Sequence, residues 1–491
     1  MEALTLIDLP LEIIETILDK VSSYHALLLT CHHLYRLVKP KIYRKIHLHL
    51  STAPETIEAS KTQLVLLCRT ICHGSGDSDL DVARLVEEFD VQGSKPLTVL
   101  PQICHQEGYT SWAPPNPPFL VPPMANVYRW REEQLRKGNA DVLIAVMISH
   151  MENMRILRLG HDIWCGSPCL SNCLLNLNEL QCAELLAHSA EPSTVAYFEM
   201  YDTASMASSY DARQLEALLS LPRIEKVSCM VTESSVRSDS TSYWFRPESR
   251  PSVVKRLHLV KTDLQPSLGE VLRITPVLEE FAYDLCIENC TPDCFIGNEV
   301  DKALLHVQST LQRLEISLTF FPTHLTVTGA STFIGSGPDE YCGIGNTMRS
   351  LVNCHCLLDL TIPSFVLLGC SPIAHEHEIQ LADVVPPSLQ RLSLTLNGIS
   401  GIGCYGWTAE ELVARVEPYV RGGNSDQLKV LELEVPTWDE ESGDRNTHNM
   451  AACSRLANDC HDAGIMFQLR ECHIRSGWNE EFDILDSDEE V

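Results

Sequence analysis

Basic charge is what this sequence has least of. Lys and Arg number 37 against 66 Asp and Glu in 491 residues, a formal charge of −29. Proteins that grip nucleic acid or anionic membrane draw their affinity from clustered cations, so neither partner is expected. Long apolar runs are missing as well. The longest, Val142 to Ile148, falls far short of the ~20 residues of a membrane-spanning helix. Met1 to Asp8 hold no basic segment ahead of an apolar stretch, so export is not expected and cytoplasmic and/or nuclear residence is. Although the chain has 20 cysteines, no Cys-x-x-Cys occurs. The two evenly spaced triplets, Cys165/Cys169/Cys173 and Cys286/Cys290/Cys294, therefore lack the paired knuckles of structural zinc. Reduced thiols packing as small hydrophobes are expected, with no metal site, no cofactor and no disulfide framework.

Catalytic signatures are equally scarce. There is no Gly-x-Ser-x-Gly elbow, no His-Glu-x-x-His helix and no kinase set. The glycine patches 335–345 and 398–403 lack the Gly-Lys-Ser/Thr ending of a phosphate-cradling loop and read as turns. In His375-Glu376-His377-Glu378, alternation in an extended segment places both imidazoles on one side. That stretch follows Pro372 in a polar loop with no further ligand nearby, so it reads as solvated. No catalytic residue is assigned, and a non-enzyme is expected.

What remains is a folded, soluble composition: 44% of residues are apolar and 21% charged. The length allows about three domains or one long repeat array. Near the start, Leu9-Pro10-Leu11-Glu12-Ile13-Ile14-Glu15-Thr16-Ile17-Leu18 sets apolar residues at helical spacing behind a Pro suited to a first turn. A second apolar helix is predicted from Ala26 to Leu37, ended by Pro40. Two such helices cannot cover each other's apolar faces, so something else must. The cations Arg36, Lys39, Lys41, Arg44 and Lys45 read as a solvated helix end.

These residues resemble a known family. Leu9-Pro10-x-Glu12-Ile13-Ile14-x-x-Ile17, Leu28-x-Thr30-Cys31-x-x-Leu34 and Pro40-x-Ile42-Tyr43-Arg44 are similar to an F-box of the kind common in fungal proteins. The spacing between Glu12 and Cys31 is slightly shorter than the family's, and His25 stands where Asp is common. The resemblance implies a three-helix module docking on the Skp-type adaptor of a cullin-RING ubiquitin ligase. The surface implied is Leu9, Pro10, Ile14, Ile17, Leu27, Cys31 and Leu34. A helical hairpin that caps the next domain is the alternative.

Beyond residue 50 a helix-to-strand unit recurs. It is clearest at 215–227, 304–318 and 388–396, and weaker about Val86, Leu157, Tyr197, Leu257, Phe281, Leu360, Leu431 and Cys472. Such a unit buries its apolar edges only against its neighbours, which predicts stacked copies with parallel strands on the concave side and helices on the convex side. The fold expected is thus α/β: a helical F-box followed by a solenoid resembling leucine-rich repeats. The segments are 1–50 (F-box), 51–107 (first repeat region), 108–125 (proline-rich loop), 126–476 (solenoid) and 477–491 (acidic tail).

Strand side chains alternate, so an exposed concave row is predicted: Arg158, His258, Arg313, Glu315, Arg391, Ser393, Glu432, Glu434 and His473. Its mixed signs suit a protein target better than a polyanion. The function implied is a substrate receptor in an SCF-type ubiquitin ligase, with a non-catalytic scaffold as the alternative.

Overall fold

In the computed structural model, the residues described are 32–51, 56–73, 82–93, 140–160, 163, 170, 180–186, 215–230, 251–262, 267–287, 295–320, 344–346, 348–369, 379–395, 409–422, 426–438 and 443–474. The chain divides into two compact units, 1–227 and 228–491. The division falls inside the stretch 126–476 that the sequence treats as one array.

In the first unit, α1 (His32–Tyr43) leads into β1 (Lys45–Leu50). There follow α2 (Ile57–His73), α3 (Val82–Leu85), β2 (Glu88–Gly93), α4 (Ala140–His150), β3 (Ile156–Gly160) and β4 (Cys182–Leu186). A helical stretch at 215–219 precedes β5 (Lys226–Met230). β1, β2, β3 and β4 pair in chain order, and each pairing is parallel.

The second unit continues with β6 (Arg256–Thr262), α5 (Leu268–Ile274), β7 (Glu280–Ile287), the short β8 (Phe295–Ile296) and α6 (Gly297–Leu304). Next come β9 (Arg313–Phe320), β10 (Ile344–Asn346), a 3-10 turn (Ser350–Asn353) and β11 (Asp359–Pro363). The unit closes with α7 (Ser364–Leu368), α8 (Leu381–Val384), β12 (Arg391–Thr395), α9 (Ala409–Arg421), β13 (Val430–Trp438), α10 (Gly443–Asp462) and β14 (Met466–Ile474). β6, β7, β9, β11, β12, β13 and β14 form one parallel order, while β8 and β10 make a separate two-stranded pair.

One hydrogen-bond device repeats along both units. The residue ahead of each strand offers its carbonyl to two successive N–H groups entering the next strand. Arg44 accepts from Glu87 and Glu88 at 2.9 and 3.0 Å, Glu87 from Arg155 and Ile156, Arg155 from Gln181 and Cys182, and Gln181 from Glu225 and Lys226. In the second unit the same role passes through Lys255, Glu279, Gln312, Leu358 and Gln390. Lys429 ends the series by accepting from Met466 at 2.9 Å. These carbonyls saturate the strand entrances and lock neighbours in register, whatever the length of the intervening connection.

The leucine positions supply the core. Leu157 and Leu159 in the first unit, and Leu257, Leu259, Phe281, Tyr283, Leu314, Ile316, Leu360, Ile362, Leu392, Leu394, Leu431 and Leu433 in the second, are all buried, and α5, α6 and α9 of the second unit bury apolar stripes as well. The return from α10 to β14 illustrates the local chemistry. Gly464 has φ +73°, a conformation costly for any residue with a Cβ. Its N–H bonds the His461 carbonyl at 3.0 Å while Ile465 bonds Cys460 at 2.7 Å, a Schellman cap that turns the chain directly into the strand.

Three expectations are corrected here. Pro40 does not end its helix: α1 runs through it to Tyr43. The basic run around Lys45 is not a helix end throughout: residues 45–50 form β1, whose alternation buries Ile46, Leu48 and Leu50 and exposes Lys45, His47 and His49. The 1–50 segment thus contains the first strand of the array. β4, built from Cys-Ala-Glu-Leu-Leu, carries too little pattern to stand out, and the copy placed about Tyr197 lies outside the described residues. The other strand centres fall in or beside observed strands. The sequence at 108–125 and the acidic tail 477–491 also lie outside the described residues.

Candidate functional site

The polar side of each unit carries the candidate site. Five strands in the first unit each contribute one charge of alternating sign. Lys45 Nζ lies 2.9 Å from Glu88 Oε2, Arg158 Nη1 bonds Glu88 Oε1, and Arg158 Nε donates to Glu184 Oε2 at 2.7 Å. Lys226 Nζ closes the chain on Glu184 Oε1. Each carboxylate is therefore bridged by two cations. The Lys45 ammonium beside Glu88, joined by Arg158 and opposed by burial, holds its carboxyl below the usual glutamate range. For Glu184 burial pulls upward, but the bonds from Lys226 and Arg158 outweigh it and leave it lowered too. His47 Nδ1 sits 3.2 Å from Asp90 Oδ2 alongside.

In the second unit the strand-entry residues are direct register partners: Arg256 with Glu280, Glu280 with Arg313, Arg313 with Asp359, and Asp359 with Arg391. Sign alternates at every step. Here the row is looser. Arg313 Nε is 3.9 Å from Asp359 Oδ2 and its Nη2 is 3.6 Å from Glu315 Oε2, while Arg256 and Glu280 are exposed and form no ion pair among the described residues. At its far end, Arg391 Nη2 bonds Glu432 Oε2 at 2.9 Å and Arg470 Nε lies against Glu432 Oε1. Ser317 Oγ donates to Asp284 Oδ1 at 3.0 Å one row further along β9.

The predicted row is thus partly assembled. Arg313 and Arg391 share the entry row, and His258, Glu315, Ser393 and Glu432 share the row two residues on. Arg158 belongs to the first unit's ionic chain. Ser393 and Glu432 are corrections: both were expected exposed, yet they are 4% and 1% exposed, because neighbouring strands and the flanking arginines cover them. Glu434 pairs in register with Arg470. His473 is displaced from the row: its register partner is Thr437, in the alternate set containing buried Leu431, Leu433 and Val435. Reading the strand centre at Cys472 put the alternation out of step. Of the adaptor-facing residues, Leu34 lies on α1, and Leu9, Pro10, Ile14, Ile17, Leu27 and Cys31 lie outside the described residues.

Sequence reasoning missed Lys45, Glu88, Glu184 and Lys226, and also Arg256, Glu280, Asp359 and Arg470. For most of them the signal was the opposite charge at consecutive strand entrances, while Glu184 and Arg470 lie inside their strands; either is legible only once strand order is known.

Cys68 Sγ and Cys72 Sγ are 3.8 Å apart and Cys72 Sγ is 4.0 Å from His150 Nδ1. That nitrogen donates to the Val146 carbonyl at 2.8 Å, so it holds its proton and cannot ligate. Among the described residues no three His, Cys, Asp or Glu side chains could hold a metal ion, and no helix is long and apolar enough to cross a membrane. Three candidate stretches, Cys165/Cys169/Cys173, Cys290/Cys294 and 375–378, lie outside them. The sequence matches no protein-family model and no curated protein.

Proposed function

We propose that this chain is the substrate receptor of an SCF-type ubiquitin ligase. Its N-terminal F-box docks on a Skp-type adaptor and through it a cullin, and the repeat array, a leucine-rich-repeat-like solenoid with its strands on the concave side, holds a protein target. The observation that supports this reading is the join between the two parts. α1 carries Leu34 and Pro40 of the F-box-like motif and runs straight into β1: Arg44 N–H bonds the Pro40 carbonyl at 3.0 Å, and the Arg44 carbonyl accepts both amides that open β2. A docking module spliced to the first strand of the array without a linker is held in a fixed relation to that strand. In this reading the chain supplies effective concentration, presenting a target lysine to a ubiquitin-loaded enzyme, and performs no bond chemistry itself.

Ile14→Asp combined with Leu34→Asp places two charges on the adaptor-facing stripe. The expected result is loss of co-purification with a Skp-type adaptor while circular dichroism and thermal unfolding of the array stay unchanged. Undiminished co-purification removes the reading. Recovery of adaptor without cullin in the same capture favours the alternative, a scaffold using its F-box outside a ligase.

A further inference from the structure

We propose that the strand-entry row of the second unit docks an α-helix of its partner, one that presents Glu and Lys alternately every three to four residues along one face. The inference rests on the receptor reading and specifies the target's chemistry.

The argument begins with what each row has left to offer. In the first unit, Lys45, Glu88, Arg158, Glu184 and Lys226 are consumed by one another in close ion pairs. In the second, Arg256 and Glu280 are exposed without an ion pair among the described residues, and Arg313 is 52% exposed in its side chain with only long contacts. The row of Arg256, Glu280, Arg313, Asp359 and Arg391 alternates in sign from strand to strand; its last member, Arg391, gives one bond to Glu432 and keeps a side chain 43% exposed. A partner complementary to it must alternate too, because a like charge opposite any rung repels.

Spacing selects the partner's secondary structure. Adjacent strands lie ~4.8 Å apart, so five rungs span about 19 Å. On a helix, side chains about three and a half residues apart rise ~5.3 Å per step, and five of them span about 21 Å. An extended peptide showing every second side chain advances ~6.7 Å per step, about 27 Å in all, and loses step after two rungs. The helix keeps step across the whole row. It would lie across the strands with acids opposite Arg256, Arg313 and Arg391 and lysines opposite Glu280 and Asp359.

The test uses the full chain and a helical peptide of about twenty residues bearing that alternation, against a scrambled peptide of equal composition and helicity. By fluorescence anisotropy at low salt, the patterned helix is expected to bind at least about tenfold more tightly, with the difference fading as ionic strength rises. Glu280→Lys with Asp359→Lys makes the row uniformly cationic, and should weaken the patterned helix by about tenfold while strengthening a helix carrying only the acids. Arg256→Ala, at an exposed position, should cost about threefold. Equal binding of patterned and scrambled helices, tighter binding of an extended acidic peptide, or self-association of the chain abolished by the same lysine pair would each overturn the proposal. Adaptor co-purification of these variants should stay intact, which separates this failure from failure of the receptor reading.

Discussion

Arg391 on β12 sets its Nη2 2.9 Å from Oε2 of Glu432 on β13, and that carboxylate side chain is only 2% exposed while the guanidinium is 43% exposed. A buried anion thus depends on half-exposed cations, since Arg470 on β14 covers its other oxygen. Register makes this possible: Arg391 pairs with Val430, two residues before Glu432, and a long side chain reaches diagonally across the gap. The relation predicts strong non-additivity. Arg391→Ala or Arg470→Ala alone should cost about 1 kcal/mol, because the other arginine still lies against the Glu432 carboxylate. Removing both strands a buried carboxylate and should cost about 3–5 kcal/mol. Urea denaturation of the four proteins of this cycle measures it, and simple additivity would show that the arginines act independently.

The first unit's ion chain predicts acid sensitivity. Glu88 and Glu184 are both held below the usual glutamate range, so protonating them is harder in the folded chain than in the unfolded one. Their stabilisation is complete above the unfolded value and is lost as pH falls from about 4 toward their lowered folded values. Glu88→Gln with Glu184→Gln should be less stable than wild type at neutral pH and should show a smaller further loss on acidification. An identical acid transition in this variant and in wild type, followed by thermal unfolding across pH, would count against the assignment.

Asp301 ties α6 to the 3-10 turn that follows. Its Oδ2 accepts the Arg349 and Ser350 amides at 2.7 and 3.1 Å, and the residue is 8% exposed. Asp301→Ala should cost about 1–2 kcal/mol, the range of a lost helix cap. Hydrogen exchange should report the loss locally, with Arg349 and Ser350 deprotected while β9 and β11 keep their protection.

Thiol reactivity should be sharply graded. Burial, with Asp301 nearby, pushes Cys354 up to about 11, and burial with Asp459 does the same to Cys460. The thiolate is the nucleophile, so both should resist alkylation near neutral pH. Cys356, two residues from Cys354, is exposed and should be modified ahead of both. Peptide mapping after brief iodoacetamide treatment distinguishes these sites, and labelling of Cys354 ahead of Cys356 contradicts the described burial.

Much of the architecture was legible in the chain because parallel strands of this kind repeat a short code. Gln312-Arg313-Leu314-Glu315-Ile316 and Gln390-Arg391-Leu392-Ser393-Leu394 announce strand, face and entry point together, and both became strands at those positions. β1 was equally patterned, Lys-Ile-His-Leu-His-Leu, but its cations drew attention to a helix end and hid the alternation. β4 was silent because five residues with one charge cannot display a period. His473 shows the limit at a site: a one-residue error in phase exchanges the two faces of a strand.

By itself, the amino-acid order determined that this protein would alternate helices and strands, which residues would be buried as leucine positions, and that its surface would be acidic, because periodicity and composition are local properties of a chain. Only the tertiary structure decided which charges meet. Lys45 finds Glu88, and Arg158 finds both Glu88 and Glu184, through connections of very different length, and no spacing rule links them. Parallel pairing discards the length of each connection and keeps only register, held by the carbonyl ladder from Arg44 onward, so the closed row of one unit and the open row of the other exist only once the strands lie side by side.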